Sequence, residues 1–340
     1  MDQLQRTRRF GICVILCACI LRLTAAGMPD MVRQWLTDPD ILSFLIYLET
    51  GRNVRFSSSS EESAVHSRES PPPWIREEIP DFGPEDMAYV EMTYGCSLRP
   101  DLETLLQRPL NWDLTGEDPS VLILHTHTTE SYTKAGEKYT ETSRYRTLDE
   151  KYNMLSIGDR VARILEENGI GVIHDREIHD YPSYNGSYVH ARSKTEEILK
   201  AYPSIRLVLD LHRDASEAGG KQLRTQVCLN GTTMAQLMLV VGTDVSRQSH
   251  ENWEENLSLA LKLHVQLQRR LPGIMRPVNL RSQRFNQDLS TGALIVEVGA
   301  AGNTHAEALA AAEELAQAVA ELAGGVPLKA GKEEETGYFS

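Results

Sequence analysis

The sequence predicts an α/β fold, a mostly parallel central sheet flanked by helices and preceded by an N-terminal segment of different character. Three observations carry this prediction. From residue 118 onward, short apolar runs alternate with longer stretches whose apolar residues recur every three or four positions. The runs are short and continuous, as strands covered on both faces are. Three of them end directly in histidine, aspartate or glutamate, the placement expected where strands deliver side chains to a site beyond their carboxyl ends.

The elements follow in order. RTRR (6–9) precedes the apolar run FGICVILCACILRL (10–23), which predicts a signal peptide or membrane anchor over 1–27. Arg22 interrupts the run and leaves it short for a spanning helix. On this reading the rest of the chain works outside the cytoplasm, membrane-anchored or exported. Residues 28–53 read as helical, with MVRQWL and ILSFLIYL on either side of DPD. Residues 54–80 are rich in Ser, Glu and Pro and read as a flexible linker. Together with the weakly patterned 81–117, they form a segment spanning 28–117.

VLILHTH (121–127) then reads as a buried strand. NMLSIGDRVARILEENG (153–169) has helical spacing and ends at Gly169, a natural helix stop. GVIHD is a strand, SKTEEILKAYP (193–203) a helix ended by Pro203, and IRLVLDLHRD (205–214) a strand. TQVCL and LMLVVG add strands. NWEENLSLALKLHVQLQRRL (252–271) is a long amphipathic helix, ALIVEVG (293–299) a strand, and 305–325 a closing helix. The domain thus spans 118–325, with a polar tail at 326–340.

Bulk properties bound the function. A net charge of −13 argues against a nucleic-acid groove, which needs clustered cations, and leaves polysaccharide or peptide substrates open. Of five cysteines, Cys13, Cys17 and Cys19 lie in the N-terminal apolar run. Cys96 and Cys228 remain, with no CxxC, so a disulfide framework and a cysteine zinc site are both disfavoured and two free thiols are expected.

Chemistry concentrates at the strand ends. His127 follows VLIL and His212 follows LVLD, whereas His174, His179, His190, His250, His264 and His305 read as ordinary satisfied histidines. Glu297 lies inside LIVEVG, where an unpaired charge is costly, and such carboxylates usually serve a metal, a cation or catalysis. Two imidazoles and a carboxylate on one rim suit a hydrolytic metal site.

HTHTTESY, HDREIHDYPSYNGSY (174–188), LDLHRD, NWEENLSLALKL and RFNQDLSTGALIVEVG together resemble the stage II sporulation protein P (SpoIIP) family, in order across about 118–325. That family is similar to the zinc-dependent N-acetylmuramoyl-L-alanine amidases. The resemblance implies an amidase-like fold and a zinc-dependent peptidoglycan hydrolase, acting as amidase and also as endopeptidase in septal wall thinning and forespore engulfment. It implies zinc as cofactor, with His127, His212 and Asp149 as ligands. Glu130 is the alternative to Asp149, and Glu150 and Glu141 are rivals. Glu297 becomes the catalytic base, with Arg213 on substrate carboxylate or oxyanion and Asp214 orienting His212. His125 is read as supporting the metal site or contacting substrate, and Arg284, Asn286 and Gln287 as lining a glycan or peptide groove. Implied partners are peptidoglycan, SpoIID- and SpoIIM-type engulfment proteins, and the membrane through the N-terminus. The implied location is the space between mother-cell and forespore membranes. Two other readings stand beside it: an inactive wall-binding scaffold, and a zinc peptidase acting only on stem peptides.

Overall fold

Residues 80–323, other than 111, 117, 219–220, 230 and 247, are described by the structure, a computed structural model. The signal or anchor, the helical segment at 28–53, the linker up to 79 and the tail at 326–340 lie outside the described residues. In order, the chain forms β1 (Met92–Gly95), α1 (Leu102–Gln107), β2 (Pro119–Leu124) and the short pair β3 (Glu141–Ser143) and β4 (Arg146–Thr147). There follow α2 (Met154–Glu167), β5 (Gly171–His174), α3 (Ser187–Ala201), β6 (Leu207–Asp214) and the short pair β7 (Glu217–Ala218) and β8 (Lys221–Gln222). The remainder is a hairpin of β9 (Gln226–Leu229) and β10 (Thr232–Ala235), then β11 (Leu237–Gly242), α4 (Trp253–Arg270), β12 (Val278–Arg281), β13 (Ala293–Ala300) and α5 (His305–Leu322).

Seven strands form one sheet in the order β1-β12-β11-β13-β6-β2-β5. Every neighbouring pair is parallel except β11 and β13. The sheet is therefore two parallel blocks joined by one antiparallel seam. The carboxyl ends of β2, β6 and β13 share an edge with the amino ends of β1, β11 and β12.

Helix boundaries follow local chemistry. Asn153 caps α2, its side chain accepting from the Leu155 amide at 3.0 Å, and the chain leaves the helix through Gly169 at φ 73°. Thr304 and Glu307 form a reciprocal capping box on α5. The long α4 carries Glu254 and Glu255 in its first turn and Arg269 and Arg270 in its last, the arrangement favoured by the helix dipole.

One face of the sheet is fully covered. Val121, Ile123, Leu209, Leu211, Leu239 and Val296 pack there with residues of α2, α4 and α5 in the main core. Each such aliphatic side chain contributes about 1.5–3 kcal/mol on burial. The other face is covered only in part. Leu122, Leu124, Val208 and Ala293 pack against Ala191 and Ile198 of α3. Beyond them Met238, Val240 and Ile295 form a small separate cluster whose added cover is Phe285, a loop residue. The floor of the cleft described below is this uncapped half-face.

The sheet reaches back before residue 118: β1 pairs with β12, and α1 packs beside α4. TQVCL does not join the main sheet and pairs with β10 instead. The helix expected at 193–203 begins earlier, at Ser187, directly after Gly186 in the left-handed region. Cys96 and Cys228 are free thiols. Among the described residues no helix is long and apolar enough to cross a membrane.

Candidate active site

The parallel strands β2, β6 and β13 end side by side, and the loop after β2 folds over their edge. His127 and His212 meet there with ring planes perpendicular and centroids 5.3 Å apart. Glu297 stands beside His212, its register partner across the β13–β6 pair. Immediately after it, Gly299 takes φ 72° at a register shift. A Cβ on Gly299 would lie 2.7 Å from the Ala235 Cβ, so only glycine allows this bend.

Both histidines are buried, and their environments differ. His127 Nε2 lies 3.1 Å from the Tyr184 hydroxyl, the Tyr184 ring stacks on the imidazole at 4.6 Å, and Nδ1 has no partner. Burial lowers the His127 pKa to about 4 against the opposing pull of Glu130. His212 Nε2 is 2.9 Å from Asp210 Oδ1, yet out of line for a hydrogen bond. Its Nδ1 is 3.6 Å from Glu130 Oε2. Burial disfavours an imidazolium at His212, but Asp210 and Glu130 outweigh it and raise the pKa well above the ordinary value.

Glu130 is the carboxylate brought to the histidines. Its Oε1 accepts from Arg146 and Arg213 at 3.2 Å each, and its Oε2 from the Arg213 amide at 3.2 Å. Burial pushes this carboxyl up, but Arg213 and His212 outweigh it and hold Glu130 well below the usual range. Glu297 behaves in the opposite way. Burial raises it to about 8, His212 opposes, Glu130 adds to the rise, and Oε2 has no partner.

Several side chains fall elsewhere than the sequence suggests. Asp149 is not brought to the histidines: it sits in the turn before α2, its carboxylate accepting from the Lys151 amide. Glu150 pairs with Arg176, and Glu141 with Lys134. Arg213 is buried and engaged within the protein. Its side chain is 4% exposed, and its donors go to Glu130, the Ser131 carbonyl and the Tyr145 carbonyl, so it holds the loop and Glu130 in place. Asp214 does not orient His212. It pairs with Arg276 at 2.8 Å and accepts from Ser216, while Asp210, two residues before His212 on the same face of β6, faces the imidazole.

His125 points away from the cleft. Its Nδ1 lies 3.2 Å from the Leu211 carbonyl and its Nε2 2.8 Å from His174 Nε2, with Asp159 at 3.0 Å on the far side of His174. It therefore braces the strand residue next to His212. Arg284 reaches Asp288 and the Ser249 carbonyl, and Asn286 donates to the Tyr188 carbonyl. Gln287 is buried and bonds both the Gly242 amide and the Val240 carbonyl. These three build the loop, and Phe285 is the member of that stretch that lines the cleft.

The sequence reading missed Asp210, Arg146, Asp180, Tyr184 and Tyr188. Asp210 had a signal, a carboxylate inside the apolar run LVLDL. Its Oδ1 accepts the Thr126 amide at 2.8 Å and its Oδ2 the Thr126 hydroxyl at 2.6 Å, which fixes the start of the His127 loop. Arg146 ties Glu130 to Asp180, and Asp180 in turn holds the Thr129 amide and hydroxyl. These loop residues carry no spacing signal, because their partners are brought by the fold and not by sequence proximity.

Among the described residues, no three His, Cys, Asp or Glu side chains form a preformed metal cage. The donor set nonetheless fits zinc. His127 Nδ1 and Glu297 Oε2 are buried without a hydrogen bond, His212 Nε2 faces only the Asp210 carboxylate, and the Glu130 carboxylate lies 3.6 Å from His212 Nδ1, so the donors are of the kind zinc takes. The cleft above them is about 340 Å³, lined at this end by Tyr188, His212, Asp214 and Glu297.

Comparison with known proteins places the chain. Residues 52–320 match the family model for stage II sporulation protein P (SpoIIP). A curated relative, stage II sporulation protein P of Bacillus subtilis (strain 168), is 28% identical over 221 residues, covering 61% of this chain and 52% of the relative. The chain thus spans about half the length of that relative. Among solved structures, N-acetylmuramoyl-L-alanine amidase AmiC2 of Nostoc punctiforme is 15% identical with a TM-score of 0.37, covering 61% of this chain and 97% of its own. Ami1 from Mycobacterium smegmatis, an N-acetylmuramyl-L-alanine amidase, is 12% identical with a TM-score of 0.37, covering 63% and 99%. The CwlD amidase from Clostridioides difficile, solved in complex with the GerS lipoprotein, is 14% identical with a TM-score of 0.36, covering 60% and 95%. With more than half of its length matched by the family model, the chain belongs to the stage II sporulation protein P family.

Proposed function

We propose that this protein is a zinc-dependent peptidoglycan hydrolase of sporulation, cleaving the amide between the lactyl group of muramic acid and L-alanine. The observation that carries the proposal is the meeting of His127, His212 and Glu297, all three buried side chains, at the carboxyl ends of β2, β6 and β13 in a SpoIIP family member, with His212 and Glu297 lining an open cleft. His127, His212 and Glu130 would hold the metal, with Glu130 preferred to Asp149 because it adjoins His212. Zinc bound there would polarise the amide carbonyl and acidify a water.

The chain's own residues supply the rest. Glu297 lines the cleft with Oε2 free of any hydrogen bond, and a cation held beside it would counter the effect of burial and keep it ionised to accept a proton from the attacking water. The same oxygen returns that proton to the departing amine, so one carboxylate serves both halves of the reaction. Arg213 and Arg146 keep Glu130 ionised and aimed at His212. Asp210 and the His125 brace fix His212 and its strand. By family resemblance, the work is done outside the cytoplasm, between the two membranes of the developing spore, with SpoIID- and SpoIIM-type proteins as partners.

Mass analysis of wall digests tests the reading. New N-terminal alanine together with free lactyl-muramic acid is the expected result. Cleavage confined to stem peptides would replace the amidase with a peptidase. Zinc binding with no release of any fragment would leave a wall-binding scaffold. Glu297→Ala is expected to keep its zinc and to lose about 10²–10⁴ in rate.

A further inference from the structure

The cleft does not stop at Glu297. It runs diagonally over the uncapped half-face of the sheet and changes character along its length. The first end holds His212, Glu297 and the Asp214–Arg276 ion pair. The middle is an apolar floor of Met238, Val240 and Ile295, with Phe285 beside it. The far end is made by Asn279 and Arg281 of β12 and by Thr93 of β1. Asn279 and Arg281 lie two residues apart on one strand, so both face the cleft.

Arg281 is unlike its neighbours. Among the described residues, Arg276, Arg284 and Arg192 all pair with carboxylates, whereas the Arg281 guanidinium makes no ion pair and no hydrogen bond. Asn279, beside it, also makes no side-chain hydrogen bond. The register explains how an arginine fits here. Gly95 and Gly242 flank Arg281 on the two adjoining strands, and a Cβ on Gly95 would lie 2.9 Å from the Arg281 Cδ. The side chain lies over β1 in space that the glycine leaves open.

The geometry points to a carboxylate-binding subsite at Arg281 and Asn279 that receives an acidic group of the peptide whose first amide is cut at Glu297. This rests on the hydrolase reading above and adds to it what the rest of the substrate must carry. Arg281 is two strands from β13 and four residues along the register from Glu297. Strand spacings of about 4.8 Å and about 3.3 Å per residue put the two Cα atoms roughly 16 Å apart. An extended peptide covers that distance in about four to five residues. The apolar floor between them suits small aliphatic side chains, and a planar guanidinium suits a bidentate carboxylate.

The test uses the full-length, zinc-loaded protein and two synthetic muramoyl peptides of four stem residues, one with free carboxylates beyond the first residue and one with them amidated. The free acid is expected to bind about tenfold more tightly, seen as a lower KM at unchanged kcat. Arg281→Gln is expected to raise KM for the acid to that of the amide and to leave the amide unaffected. Equal effects of Arg281→Gln on both peptides, or no effect on either, would overturn the subsite. Calorimetric binding of the same pair to Glu297→Gln gives the result without turnover. If wild type cleaves neither peptide but Arg281 still discriminates acid from amide, the subsite stands and the amidase reading falls. If it cleaves both and Arg281→Gln changes nothing, the reverse holds.

Discussion

A buried carboxylate stays ionised only when its neighbours supply the charge that water no longer does, and the two glutamates of this site fall on opposite sides of that condition. Glu130 has Arg213 and Arg146; Glu297 has an unpartnered oxygen and a pKa raised to about 8. Removing the support of Glu130 should therefore be expensive. Arg213→Met is expected to destabilise the protein by about 3 kcal/mol, since it strands a buried charge, and urea unfolding measures this directly. A surface arginine in the same position would cost almost nothing. At this scale the sequence was informative about Glu297, His127 and His212, each marked by its place at a strand end. It was poor on the third carboxylate and on Arg213, because exposure and partner choice depend on loops closed by contacts far apart in sequence, such as Arg146 with Asp180.

Secondary-structure elements carry the site through a few tight fits. Gly158 in α2 is the clearest. A Cβ there would lie 2.4 Å from His174 Nε2 and 2.6 Å from His125 Nε2. Alanine normally improves a helix by about 1 kcal/mol over glycine. Here Gly158→Ala is expected to destabilise by about 1–3 kcal/mol through overpacking, a reversal of sign that chemical denaturation can read. The long helix α4 carries another buried histidine, remote from the cleft. His264 bonds the Tyr89 carbonyl at 3.0 Å, and burial lowers its pKa to about 4. Between about pH 6.5 and 4 the unfolded chain takes up a proton that the folded one refuses, so stability falls as pH falls through that window. The loss attributable to this residue is on the order of 3 kcal/mol, complete below pH 4. Melting curves from pH 7 to 4 should show it, and His264→Gln should flatten that part of the slope.

The long helices and buried strands were legible from periodicity alone, while β1, α1 and β12 were not. β1 (MTYG) and β12 (VNLR) mix polar with apolar residues and so lack the continuous apolar run that marked the other strands, and α1 is only six residues, too short for a helical period to show.

Those unseen pieces matter to the whole molecule. β1 closes the edge of the sheet against β12, and α1 accepts the buried Lys262 ammonium on the Leu105 and Leu106 carbonyls. A chain beginning at residue 80 is expected to unfold in one cooperative transition. One beginning at 118 is expected to lose that transition or to aggregate through the uncovered β12 edge, which scanning calorimetry and light scattering distinguish.

The antiparallel seam between β11 and β13 has a consequence for how this architecture changes over time. His127, His212 and Glu297 gather where β2, β6 and β13 end; the loop leaving β12 emerges at the opposite edge of the same sheet, and its Phe285 borders the Arg281 end of the cleft. Residues at the second edge can therefore vary while those at the first are held constant. The two ends of the cleft are thereby free to change independently of each other.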